Sequence, residues 1–296
     1  MPNREHPDSS SADPSRRQPN VLARLEQAVG QIQDSGTFRR YLDVQARFHR
    51  YSPNNAALIL LQRPAATRVA GYNDWLKMHR YVRKGERAIK IIIPMFKTTI
   101  DEQSGEERRQ VFFGVGNVFD QEQTAGEPLP EVDVPVLQGE AGEQLYTGLT
   151  GVAGREGLQV ERVPELAGEM MGFYERGSQL IVVRLAAQLQ MTKTLAHELG
   201  HHFAGHGSPE DQSPRAEQET VAESVAYVVL AHHGLDSGER SFPYIATWSK
   251  DRKVLQQAMS TIQKVSATLI DGVQRQDAES MPRQSGELVP EEISPI

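Results

Sequence analysis

The sequence predicts an α+β chain of two domains: a helical domain carrying a β-hairpin, then a second domain of helices around a short sheet. Three observations carry that reading. Apolar residues recur at three- and four-residue spacing in several windows, and these alternate with short β-rich runs. Composition shifts to Gly, Pro, Glu and Val, without clear period, between residues 121 and 143. Charge changes sign across that shift: residues 1–127 hold 19 Lys/Arg against 15 Asp/Glu, and the remainder 13 against 24. A chain of 296 residues is long enough for two modest domains, each with its own core.

Taken in order, residues 1–18 are rich in Ser, Pro, Arg and Asp and are expected to be a disordered tail. The first domain is expected over 19–120. Val21, Leu22, Leu25, Ala28 and Val29 share one helical stripe, and a second helix is expected from Thr37 to about Arg50. Ser52-Pro53-Asn54-Asn55 caps a third, AALILLQ. Gly71 precedes a short helix, YNDWLKMHRYV. Lys84-Gly85-Glu86 then turns into a strand, AIKIIIPMF, joined by the polar loop DEQSGEERRQ to a second strand, VFFGVGNVFD. Residues 121–143 read as a linker, 144–275 as the second domain and 276–296 as a polar, disordered tail. In the second domain EQLYTGLTGVAGR is a helix, LQVERV a strand and MMGFYERGSQLIVVR a hairpin turned at Glu175–Ser178. Helices follow from about 188 to 204, 214 to 233 and 252 to 273.

Composition narrows the chemistry. There are no cysteines, so disulfides and thiolate metal sites are excluded, and any metal must be held by imidazole and carboxylate. The N-terminus has no apolar core of a signal peptide and no apolar run reaches the roughly 18 residues of a membrane span, so a soluble cytoplasmic protein is expected.

The segment TLAHELGHHF contains H-E-x-x-H at His197, Glu198 and His201. A spacing of four puts both imidazoles on one helix face, one turn apart, where both reach one ion. Glu198 is displaced around the helix and suits the role of general base. Zn2+ fits these ligand types, and Mn2+ is also compatible with a nitrogen and oxygen set. The third ligand is not the histidine of the longer motif H-E-x-x-H-x-x-G-x-x-H, because Ala204 and Gly207 occupy its Gly and His slots. The next helix offers Glu219 and Glu223, one turn apart. Glu223 is favoured, because its neighbours Ser224 and Val225–Leu230 place it where the helix packs inward; Glu219 is the alternative. Whichever does not ligate is placed to orient a ligating histidine. The strand Gln179–Arg184 before the metal helix is expected to offer an open edge to a peptide.

The first domain is basic where it is aromatic. Between Arg39 and Lys97 there are 13 Lys/Arg, three Asp/Glu and seven aromatic residues. Cations that follow phosphates, with aromatic faces that stack bases, are the pattern of single-strand binding. The candidates are Arg39, Arg40, Tyr72, Trp75, Lys77, Arg80, Arg83, Lys84 and Lys90.

Two blocks in these stretches resemble a known family. YSPNN…LILLQ…ATRVAGYNDW…VRKGERAIKIIIP resembles the N-terminal domain of ArdC-type plasmid antirestriction proteins. HELGHHF…AEQETVAESVAYVV…LDSGERSFPYIATW resembles the zincin-like metallopeptidase domain that follows it. The resemblance covers roughly residues 20–275. It implies single-stranded DNA binding, protection of incoming conjugative DNA from host restriction, and a gluzincin-like second domain with His197, His201 and Glu223 on the metal and Glu198 catalytic. A second reading is a regulatory zinc protease that cleaves a repressor or another DNA-associated protein.

Overall fold

A computed structural model describes residues 18–32, 34–100, 107–129, 140–236 and 251–280. The expected N-terminal tail, most of the expected C-terminal tail, the middle of the expected linker and residues 237–250 lie outside the described residues.

Three helices open the fold: α1 (Gln18–Gly30), α2 (Ser35–Arg47) and α3 (Pro53–Gln62). Side chains that accept a backbone N–H fix two of their starts. Asp34 accepts from Thr37 N at 2.9 Å, and Ser52 accepts from Asn55 N with Pro53 in the first turn. Their apolar stripes meet in one core that includes Leu25, Val29, Phe38, Leu42, Leu58 and Ile59.

Against them lies an antiparallel sheet of β1 (Val69–Gly71), β4 (Glu107–Asp120) and β3 (Ile89–Ile100), in the order β1-β4-β3. β4 takes in Glu107–Gln110, which the sequence reading assigned to the loop. Between β1 and β3 come α4 (Tyr72–Lys77) and β2 (Arg80–Val82). The expected helix through Val82 therefore stops at Lys77, because His79 takes a left-handed φ of 54° and Arg80–Val82 pairs with β5 (Thr124–Gly126). β5, and the 3-10 turn Gln121–Gln123 before it, belong to the first half of the fold and not to a linker.

An edge strand leaves backbone groups without partners, and α3 closes that of β3 with two side-chain amides. Asn55 donates to Ile92 O at 2.9 Å and accepts from Ile92 N at 2.8 Å. Gln62 does the same at Lys90, at 2.9 and 3.0 Å. Further along, Pro94 has no N–H to satisfy. Asp120, fully buried, gathers the N–H groups of Thr67 and Arg68 and the Arg63 guanidinium.

The second half starts with α5 (Glu140–Arg155). A three-stranded sheet follows, β6 (Gln159–Val163), β7 (Gly172–Glu175) and β8 (Leu180–Arg184), in the order β6-β8-β7. β6 is parallel and β7 antiparallel to β8. β8 is thus central, which corrects the expectation of an open edge there; β6 and β7 are the edge strands. α6 (Gln188–Ala204), α7 (Arg215–His232) and α8 (Arg252–Ser280) complete the fold, α8 running seven residues past the expected Val273. Among the described residues no helix is long and apolar enough to cross a membrane.

The buried apolar cluster is continuous through both halves. At the seam Tyr227 of α7 donates to Asp43 at 2.5 Å and accepts from Arg39 Nε at 3.1 Å. His232 reaches Ala46 O at 2.8 Å, and Asp271 of α8 holds both His49 and Arg50. Replacing Asn55 by Ala would strip two backbone groups of β3 at once. The Asn55→Ala variant should lose about 1–3 kcal/mol of stability in denaturant melts, with faster exchange at the Ile92 amide. Unchanged exchange there would show that the helix amide does not cap the edge.

Candidate metal centre

α6 and α7 cross closely enough for their polar faces to form one site. The reason is local. Gly200 faces Ala222, and a Cβ on Gly200 would stand 3.2 Å from the Ala222 Cα. That contact sits between Glu219 and Glu223 along α7 and beside His197 and His201 on α6. Behind the site α6 is anchored by Leu195, Ala196 and Leu199, all buried, and it ends at Gly205, whose φ of 76° is the left-handed stop that Gly supplies.

Three ligand atoms converge. His197 Nε2 and His201 Nε2 lie 3.0 Å apart, and Glu219 Oε2 stands 3.3 Å from the first and 3.7 Å from the second. Nitrogen and oxygen ligands at about 2.0–2.1 Å around a tetrahedral ion stand about 3.3 Å from one another. The set therefore fits one divalent ion, and His197, His201 and Glu219 form the metal-competent group of the described residues.

Glu223 does not join this group, contrary to the sequence reading. It faces the other nitrogen of His197, Nδ1, at 3.5 Å, and its second oxygen pairs with Lys193 at 3.0 Å. The two carboxylates thus stand at the two places foreseen, in exchanged order: Glu219 by both Nε2 atoms and Glu223 behind His197. His201 Nδ1 is in turn 2.8 Å from His206 Nδ1. Each imidazole of the group has its outer nitrogen held, which fixes ring orientation.

The electrostatics follow the geometry. Burial disfavours a cationic His197, yet Glu219 and Glu223 outweigh it and lift the imidazole to about 9. Hydrogen bonds from His197 and His201 hold Glu219 far below the ordinary carboxylate range. Burial opposes ionisation of Glu223, but His197 and Lys193 keep it down at about 2. Burial, then the neighbouring His201, drops His206 to about 4, which keeps it a neutral ring beside His201. Glu198 is buried, and burial raises it despite the nearby histidines.

The site opens into a cleft of about 610 Å3 between α6, α7 and β7. Met170, Met171 and Phe173 line its far wall. Gly172 lets β7 approach α6: a Cβ there would fall 2.5 Å from Thr194 Cγ2 and 3.5 Å from Glu198 Oε1. Lys193, Gly172 and Gly200 were missed by sequence reasoning. For Lys193 a signal existed, since it lies one helical turn before His197 on the same face.

The basic candidates are dispersed. Trp75 is fully buried and donates to Phe119 O at 2.9 Å, so it is a core residue and not a stacking face. Arg39 is engaged with Tyr227 at the seam, and Arg80 ties β2 to Thr124 and Glu127. Lys77 pairs with Asp74 and Arg83 with Glu86. Arg40 and Lys84 are exposed, as is Tyr72 at 50%. Lys90 reaches Asn117 across the hairpin.

Comparison with known proteins bears on this first half most directly. Residues 15–138 match the family model of the N-terminal domain of anti-restriction factor ArdC. This first domain is therefore similar to the N-terminal domain of ArdC. A crystal structure of the antirestriction ArdC protein from plasmid R388, metal-free, is similar over 76% of this chain and 86% of its own, at 21% identity and a TM-score of 0.52. At that identity the likeness is one of fold. The Mn(II)-bound structure of the R388 protein aligns over 75% and 85%, at 20% identity and a TM-score of 0.46. An uncharacterized protein of Bacillus anthracis is 26% identical over 264 residues, covering 75% of this chain. This chain spans 45% of the length of that relative. The ArdC-type domain thus holds α1 to β5, and the metal-competent group lies beyond it on α6 and α7.

The close α6–α7 approach is testable apart from any activity. Gly200→Val should cost about 1–3 kcal/mol by forcing the helices apart, and divalent-metal titration should show weaker binding as Glu219 leaves the histidines. Metal affinity equal to the parent would show that this contact does not set the site.

Proposed function

We propose that this chain is a two-domain antirestriction factor: a first domain, 19 to about 129, that binds single-stranded DNA, joined to a gluzincin-like zinc hydrolase. The observation that carries the hydrolase is the convergence of His197, His201 and Glu219 within reach of one ion, with Glu198 buried beside them. A site serving structure alone has no need of that fourth residue. The ArdC-type domain supports the antirestriction part, and incoming plasmid DNA is the proposed beneficiary.

The ligands would be His197, His201 and Glu219, with zinc favoured by donor type and manganese compatible. Such an ion, when bound, supplies Lewis acidity and a nucleophile from water at neutral pH. The chain's own residues do the rest. Glu198, kept from ready ionisation by burial, takes and returns a proton at its carboxylate. Glu223, steadied by Lys193, holds His197 in its ligating tautomer, and His206 does so for His201. An extended peptide is the substrate that the cleft accommodates. It would run along β7, whose far edge faces α6, with Met170, Met171 and Phe173 beside its side chains.

DNA binding by the first domain is supported by its charge and by the exposure of Tyr72 and Tyr81, at 50% and 55%, near Lys77 and Lys84. Affinity for single strands should fall steeply with salt.

Two measurements test the hydrolase. Purified protein should retain about one divalent ion per chain, lost in His197→Ala, His201→Ala and Glu219→Ala, whereas Glu223→Ala should bind about 10- to 100-fold more weakly but still bind. Loss in Glu223→Ala with retention in Glu219→Ala would return the ligand role to Glu223. Glu198→Gln should keep the ion and lose hydrolysis of a peptide library. Comparing its protection of transferred DNA with that of the parent then tells whether hydrolysis serves antirestriction at all.

A further inference from the structure

A second cleft, of about 970 Å3, opens in the first domain between α1, the end of α3 and the chain from Gly85 to Lys90. Its cations are Arg24, Arg63, Arg87 and Lys90, and three of these lay outside the candidates chosen from the sequence. Arg24 and Arg63 are held rather than loose. Arg24 donates to Gln62 Oε1 at 3.1 Å, and that oxygen also accepts the Lys90 N–H. Arg63 is braced by Asp120 and Glu122. Glu86, the carboxylate of the lining, is occupied by Arg83 at 2.9 Å and Gln123 at 3.1 Å. The cleft therefore presents fixed positive charge to solvent.

The hairpin β3–β4 continues from this cleft. Strand alternation puts Lys90, Ile92, Pro94 and Phe96 on one face, and the register sets Asn117, Val115, Phe113 and Val111 opposite them on that face. Lys90 lines the cleft, while Phe96 and Phe113, farther out, are 54% and 63% exposed. Six residues of strand span about 20 Å, room for a few nucleotides of a single strand.

We infer that a single-stranded nucleic acid binds with its phosphates in the Arg24–Arg87–Lys90 cleft and its bases against the Phe96–Phe113 face of the hairpin. The inference rests on the reading of the first domain as a single-strand binder and gives that reading a place. Charge complementarity selects a polyanion. Flat aromatic faces in line with the charge select one whose bases are free to stack, because a duplex keeps its bases stacked inside. The path also differs from the α4 face, whose one fully buried aromatic, Trp75, is unavailable.

The test uses the full chain and a fluorescent oligothymidylate of about 20 nucleotides, the probe length being chosen to exceed the path, with anisotropy read at several salt concentrations. The double variant Arg24→Gln, Arg87→Gln should reduce the salt slope by about 1.4, at about 0.7 per lost phosphate contact. Arg24→Lys, Arg87→Lys, which keeps the charge, should restore it. Phe113→Ala should raise Kd by about 5- to 150-fold, the equivalent of one lost stacking contact, and Phe113→Trp should not. Arg40→Gln with Lys77→Gln, on α2 and α4, should lower the slope and raise Kd by less than the groove and hairpin variants do. Groove and hairpin variants that bind like the parent, with the loss appearing in Arg40→Gln, Lys77→Gln, would overturn this path and leave single-strand binding standing. A parent protein that binds no single strand would overturn the underlying reading and the path with it.

Discussion

The contact of Gly200 with Ala222 is the constraint on which the second half depends. An H-E-x-x-H segment supplies two nitrogens from one helix, but a third ligand must come from elsewhere, and its reach is limited by how near the next helix lies. With no side chain at 200, the α6 and α7 backbones meet, and Glu219 Oε2 arrives within 3.3 to 3.7 Å of both imidazole nitrogens. Helix axes commonly pack 8–10 Å apart according to the side chains between them. A Cβ here would ask α7 to give by a few tenths of an ångström, the margin that ligation tolerates, and a branched side chain would ask for more.

The same approach explains what the sequence disclosed and what it did not. His197, Glu198 and His201 were legible because their relation is set within one helix, by a period of 3.6 residues. The third member of the metal-competent group was not, because Glu219 and Glu223 share a face of α7, and choosing between them requires its axial offset against α6. Inward packing of the residues after Glu223 was a poor guide: Glu223 does point inward, to Lys193 and the far side of His197. Helix starts at Asp34 and Ser52 were legible from their caps. β5 was not, since its partner β2 lies more than 40 residues earlier and neither strand exceeds three residues. Trp75 could not be sorted from Tyr72 by pattern either. Its indole N–H finds Phe119 O, a contact made only when the sheet is in place.

Charge in the first domain was legible as a sum and illegible as a distribution. Arg39, Arg50, Arg63, Lys77 and Arg83 each have an anionic or hydroxyl partner within the fold. Such pairs position side chains more than they stabilise; exposed ones contribute about 0–1 kcal/mol. What remains directed at solvent is a smaller set than composition suggested, and it is gathered on particular faces by α1, α3 and the hairpin.

α7 takes part in two structures at once. Toward its start it carries Glu219 and Glu223 at the metal-competent group, and toward its end Tyr227 and His232 are bonded to α2 of the ArdC-type domain. Local melting of this helix would release both sets of contacts together, so the two halves share a cooperative unit and do not unfold as separate beads. Mass action then extends beyond the ion's neighbourhood. An ion bound to the native chain at a hundred times its dissociation constant adds about 2.7 kcal/mol to the folded state, and through α7 the helices of the first half inherit part of that protection.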